Sequence, residues 1–477
     1  MNTAIIVGSG PNGLAAALTL AEAGLEVTVL EAKSVIGGGT RTSELTLPGL
    51  LHDDCSAVHP MTVASPFIQA HDLAPHGLTW LLPEVDMAHP LDGGRAATLR
   101  HSLDETSALL GADGPAWRAQ FSPLVERFDD LVQDLFRPML HVPRHPVSLA
   151  RFGLPALLPA TVLARRWKSE EARALFGGIA AHAYFPLSMP STSAVGLMIT
   201  AAGHRYGWPV AKGGSRAISD AMAARLSELG AKIETGITVR SLDDLPRSDL
   251  VMLDTSPRAA ADIAGARLPT RVRRAYQRYR HGPAAFKLDI ALDGHIPWTN
   301  PTCRRAGTVH VGGTFEEIVA AEKAVAHGIM PERPFVLVGQ QYLADPSRSS
   351  GGKNPIWAYA HVPHGYSGDA TAAIVDHIER FAPGFRDRIL ATHVRSATAM
   401  ATYNPNYVGG DILTGRNDPL QVVMRPRLAL DPYRTGIPGV YLCSAATPPG
   451  TGVHGMCGYN AATSALHNLH RDRAARR

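Results

Sequence analysis

The chain has 477 residues, enough for two or three domains around a sizeable core, with 45% hydrophobic and 18% charged residues. Its formal net charge is only +4, and no interleaved basic and aromatic stretch is present, which argues against nucleic-acid binding. Four cysteines without a C-x-x-C speak against a redox disulfide and a zinc knuckle, and no metal site is expected.

Residues 4–8 read as a buried strand, 13–24 as an alanine- and leucine-rich helix stopped by Gly24, and 26–31 as a second strand. Together they make one βαβ unit with parallel strands. The first apolar run leads straight into a glycine loop, unlike a signal peptide, and no uninterrupted apolar run is long enough to span a bilayer. A cytoplasmic location is expected, with peripheral membrane contact as an open option.

Residues 100–200 read as mainly helical and broken by prolines. Within them, 138–159 is rich in Leu, Pro, Phe and Arg. That segment fits a set of core helices with irregular joints. It also fits the lining of an apolar substrate site or a monotopic membrane face. A helix is expected over 215–229, then strands over 232–240 and 249–253. Further β-like runs lie at 286–292, 308–311, 335–340 and 356–361, most economically an antiparallel sheet. A last strand, 439–444, leads through a glycine-rich turn to a helix over about 453–469.

The chemistry-bearing motif is Gly8-Ser9-Gly10-Pro11-Asn12-Gly13. Gly8 permits the tight turn, Gly10 lets the backbone approach a pyrophosphate, and Gly13 allows close packing of helix on strand. The following helix N-terminus would offer N–H groups and its dipole to phosphates. Glu31, at the end of the second strand, is placed to accept from ribose hydroxyls. These residues imply a dinucleotide.

The segment from Glu31 and Ala32 through Gly37, Gly38, Gly39 and Arg41 resembles the FAD enzymes of the amine oxidase and phytoene desaturase superfamily. There a glycine pair and an arginine pack beside the FAD pyrophosphate; here Gly39 stands where the arginine usually comes, and Arg41 follows two positions on. The resemblance continues at Gly49 to Asp53, at Pro209 to Gly214, at Gly236 to Val239, and at Gly439 to Gly455. It implies an α/β fold: a discontinuous Rossmann-like FAD-binding domain (1–75, 205–280, 400–477) and an α+β substrate-binding domain of mixed or antiparallel sheet and helices (76–204, 281–399). It implies FAD contacts at Gly8, Ser9, Gly10, Pro11, Asn12, Gly13, Glu31, Ala32, Gly38, Gly39, Arg41, Val239, Ser444, Gly452 and Val453.

His454, beside the flavin end, is the candidate catalytic residue, as a base or a hydrogen-bond partner of the substrate; the plainer alternative is a histidine that caps the helix or packs against FAD. His59, His52, Tyr407 and a covalent attachment through Cys457 are weaker candidates. No second G-x-G-x-x-G lies between strand and helix, so no dedicated NAD(P)H domain is expected. Electrons should come from a small apolar, lipid- or isoprenoid-like substrate by hydride transfer to flavin N5, and leave to oxygen or a quinone. A flavin amine oxidase, a redox-neutral polyene isomerase and a non-catalytic flavin-fold binding protein are the competing readings.

Overall fold

A computed structural model describes residues 2–476. The first sheet is wholly parallel and has five strands, in the order Val440–Leu442, Leu250–Leu253, Thr3–Val7, Glu26–Glu31, Lys232–Thr235. Its strands come from three separate stretches of the sequence. The helix Pro11–Glu22 crosses between Thr3–Val7 and Glu26–Glu31, opened by a proline at its first position, where a missing N–H is harmless. Gly24, at φ 82°, reverses the chain after it. Leu14, Leu18 and Ala21 of this helix pack in one core with Val27 and Val29.

The second sheet has seven strands: Ile389–Arg395, Ala284–Asp293, Lys353–Val362, Val336–Gly339, Ala306–Val311, Val85–Pro90, Ala96–Leu99. All neighbours are antiparallel except Ala306–Val311 with Val85–Pro90. Its two faces differ in chemistry. Phe286, Leu288, Ile290, Val309, Val336, Val338 and Ile356 form a closed apolar core with Ile374, Ile378 and Phe381 of the helix Thr371–Phe381. Each such side chain contributes roughly 1.5–3 kcal/mol by burial. The alternate residues, Lys287, Asp289, Thr308, His310, Trp357, Tyr359 and His361, are buried as well. They belong to the face turned toward the helices Glu170–Ala180 and Thr192–Tyr206 and toward the first sheet.

Several expected boundaries move. The strand expected over 232–240 ends at Thr235, because the chain turns at Gly236 (φ 76°). The expected last strand stops at Leu442, and the final helix begins at Met456 rather than near 453. The helix expected over 13–24 runs Pro11–Glu22. No single described helix is long and apolar enough to cross a membrane.

Candidate functional site

The C-terminal ends of the parallel strands face one cavity of about 1030 Å³. That is at the upper end of the usual range for small-molecule and cofactor sites, roughly 300–1,000 Å³. Such crevices at strand ends are where open α/β sheets bind ligands. Gly8, Ser9, Gly10, Pro11 and Asn12 form one wall, with Glu31, Ala32, Gly38, Gly39 and Arg41 beside them. Val239, Ser444, Gly452, Val453 and His454 line it too. Gly13 does not: it sits one layer behind, where a Cβ would lie 2.2 Å from the Gly8 carbonyl oxygen. That close approach of helix to strand explains the glycine.

Glu31 is already fully engaged. The Ser9 amide (3.0 Å) and hydroxyl (2.5 Å) donate to one carboxylate oxygen; the Lys33 amide (2.9 Å) and Arg41 Nη2 (3.3 Å) donate to the other. A ribose hydroxyl at this carboxylate would have to replace the Ser9 hydroxyl or Arg41. Arg41 is no solvated surface residue. It is buried, donates to the carbonyls of Val35 and Gly38, and lies 5.5 Å from the Tyr403 ring centroid. It holds the Gly37–Gly39 loop against the end of the second strand.

The helix start is less open than the motif alone implies. Asp254, at the end of Leu250–Leu253, accepts from the Gly13 amide at 3.0 Å. A Cβ on Gly10 would lie 2.7 Å from the same Asp254 oxygen. Burial, with a smaller contribution from Glu31, pushes Asp254 up to about 7. The sequence reading missed this residue, because Gly13 is its partner only across the sheet. Still, the cradle fits a dinucleotide. Two buried oxygens on residues of the wall, Asn12 Oδ1 and Thr255 Oγ1, have no hydrogen-bond partner in the protein.

At the other end, His454 is 2% exposed, and its Nδ1 accepts from the Met456 amide at 3.0 Å. Its ring packs 4.9 Å from that of Phe136, and burial lowers its pKa to about 4. With Nδ1 accepting, the ring proton sits on Nε2, so the residue caps the final helix and has no free lone pair to act as a base. The Met456 amide, at the start of the final helix, is occupied by this bond. Ser444 turns the chain: its carbonyl accepts from the Thr447 amide and hydroxyl at 2.9 and 2.8 Å. The Cys457 thiol donates to the carbonyls of Thr447 and Gly450, and burial pushes it up to about 12. It is therefore no activated nucleophile.

His59 bonds Ser215 Oγ at 2.8 Å and lines the cavity, and burial lowers it to about 4. His52 stands outside the cavity, 2.8 Å from Thr46 Oγ1 and 3.4 Å from Asp289. Tyr407 lines the cavity beside Gly39 and Cys55.

Beyond the dinucleotide wall the cavity becomes apolar, bounded by Phe136, Leu149, Phe152, Val195, Met198 and Ile199. The only carboxylates among its described lining residues are Glu31 and Asp254, both at the dinucleotide end. Its floor is the polar-aromatic face of the second sheet: Thr308, Leu337, Trp357 and Tyr359, with His182 close by. His182 stands 3.2 Å from His310, and burial holds it down to about 3. Behind the floor, Lys287 and Asp289 form a fully buried ion pair, with the Lys287 ammonium 6.0 Å from the Trp357 ring centroid. Burial alone would raise Asp289; Lys287, His52 and His393 together hold it below the usual carboxylate range. The alternation Phe286-Lys287-Leu288-Asp289-Ile290 carried this signal in the sequence.

A family model described as an NAD(P)-binding Rossmann-like domain matches residues 6–69. The chain is 25% identical to the mouse pyridine nucleotide-disulfide oxidoreductase domain-containing protein 2, over 98% of this chain and 93% of that one. It is 30% identical to hydroxyneurosporene desaturase of Cereibacter sphaeroides over 49% of each chain. Among solved structures, putrescine oxidase bound to putrescine superposes with a TM-score of 0.61 at 17% identity, covering 98% of this chain and 99% of that one.

Proposed function

We propose that this chain, an oxidoreductase of the amine oxidase and carotenoid desaturase type, holds FAD along the Gly8–Gly13 loop and dehydrogenates an elongated apolar substrate, lipid- or isoprenoid-like. Oxygen or a quinone then takes the electrons. When bound, FAD supplies a two-electron hydride acceptor at its N5. The observation that carries the reading is one continuous cavity, glycine-walled at one end and lined by Phe136, Leu149, Phe152 and Met198 at the other.

The protein's own groups divide the work. The Gly8–Gly10 turn would admit a pyrophosphate to the backbone, with the Gly38–Gly39 stretch, braced by Arg41, as its neighbouring wall. The apolar walls exclude water and orient the substrate chain. The floor supplies hydrogen-bonding groups, so it suits a substrate with one uncharged polar group on an otherwise apolar body. An ammonium finds no carboxylate in this part of the cavity, and Asp289 behind the floor is already paired with Lys287. That favours dehydrogenation of a neutral molecule over amine oxidation.

The test is anaerobic mixing of the FAD-loaded protein with polyenes, neutral fatty acyl compounds and amines. Loss of the oxidised-flavin absorbance with a neutral apolar compound is the expected result. Bleaching by amines alone overturns the reading, as does an isomeric product of unchanged mass.

A further inference from the structure

The surface around the mouth of the cavity is apolar and basic. Residues 136–168 contain no Asp or Glu and six Lys or Arg. Met139, Leu140, Val142, Val147, Leu154 and Leu157 all stand exposed there, Val142 at 89% and Leu154 at 73%. A second segment, the helix Pro419–Met424 and the chain just beyond it, adds Leu428 at 62% and Leu430 at 91%. Met139 and Leu157 of the first segment and Val423 of the second are exposed and line the cavity. Both segments thus border its opening.

The helix Pro146–Ala156 buries Phe152 and Ala156 inward and leaves Val147, Arg151 and Leu154 outward. The next helical stretch, Ala160–Arg166, leaves it at 92°. This is the outline of an element that lies on a surface rather than one that crosses it. Among the described residues, Arg137, Arg144 and Arg151 have no carboxylate partner. Asp134, on the preceding helix, is buried and already accepts from the amides of Arg144 and His145, both at 2.8 Å. Large apolar side chains left exposed along one short segment mark an interaction site.

We propose that this face docks on an anionic phospholipid bilayer. The exposed leucines and valines enter the boundary between headgroups and acyl chains, Arg144 and Arg151 meet lipid phosphates, and the cavity opens into the lipid layer. The unpaired arginines select an anionic bilayer over a second copy of this chain, whose matching face would carry the same positive charge. The docking deepens the reading of the cavity as an apolar-substrate site, but it is measured without substrate.

The full chain is mixed with vesicles of phosphatidylcholine, alone or containing about one-third phosphatidylglycerol, and pelleted. Pelleting with the anionic vesicles, weakened by salt, is expected. The pair Arg144→Gln/Arg151→Gln should lower that affinity roughly tenfold, and the pair Val142→Glu/Leu154→Glu should abolish it. Ile329→Glu, at an exposed apolar residue on another loop, should bind as wild type. Flavin content and circular dichroism confirm that each variant is folded. Equal pelleting of wild type and both double variants overturns the proposal. So does self-association in sedimentation velocity that Val142→Glu/Leu154→Glu removes, without vesicle binding. Vesicle binding with no flavin bleaching by any apolar compound would instead strike the functional reading and leave the docking intact.

Discussion

Asp254 is where residue-level chemistry and stability meet. Its carboxyl lies against the glycine loop, capped by the Gly13 amide, and titrates near 7 because it is buried. A carboxyl raised in the folded state stays protonated there while the unfolded chain has already lost its proton. Its contribution is complete below the usual carboxylate range and is lost as pH rises through about 7. Denaturant midpoints of the apoprotein should therefore fall between roughly pH 4 and pH 7, and Asp254→Asn should flatten that slope. The same substitution should tighten FAD retention above neutral pH, read by fluorescence of released flavin, because a carboxylate beside the site proposed for the pyrophosphate is removed. Gly13→Ala should act through shape instead. Its Cβ meets a backbone oxygen that cannot move aside, so the expected cost is about 1–3 kcal/mol of stability, along with lost flavin on purification. The glycine motif was legible in the sequence because only glycine satisfies those backbone approaches. Asp254 was not, since a carboxylate at a strand end gains its meaning only from a residue 241 positions away.

Among elements, the strap between the helices Phe128–Leu135 and Pro146–Ala156 depends on Asp134. Its carboxylate accepts from two backbone amides and lies 3.2 Å from His141 Nε2. Asp134→Ala leaves those amides without a partner and should cost about 1–3 kcal/mol. Limited trypsin digestion should then cut faster after Arg144, whereas the Arg137-Pro138 bond resists trypsin. The second sheet shows how far periodicity carries. Strands with a continuous β-like run, such as 286–292 and 356–361, were legible and are simply longer in the fold. Val85–Pro90, Ala96–Leu99 and Ile389–Arg395 were not, because they mix His, Pro, Thr and Arg with small apolar residues. Their strand character comes from the neighbours they pair with, not from propensity.

In the whole molecule, the two sheets are tied by Arg348. It is 1% exposed, donates to Asp53 Oδ2 at 2.5 Å and to Asp345 at 3.2 Å, and reaches the Ala211 carbonyl at 2.8 Å. Asp53 in turn accepts from the Ser215 amide at 2.7 Å. One side chain thus joins the loop after the second-sheet strand Val336–Gly339 to the segments that flank the dinucleotide wall. Arg348→Met leaves two buried carboxylates unpaired and should cost about 3–5 kcal/mol, read as a lower denaturation midpoint with flavin released early in the transition.

The parallel sheet described above also fixes an order of events. Its central strands, Thr3–Val7 and Leu250–Leu253, are completed by Val440–Leu442, and Gly458 of the last helix presses against the Asn12 carbonyl at the start of the first. During synthesis the glycine loop leaves the ribosome before Ser444 to His454, and its cavity lacks the wall they form until they have emerged. A nascent chain, or one cut short before Ser444, therefore presents half a cradle, and on the proposed reading retention of FAD reports that the helix from Met456 has been made.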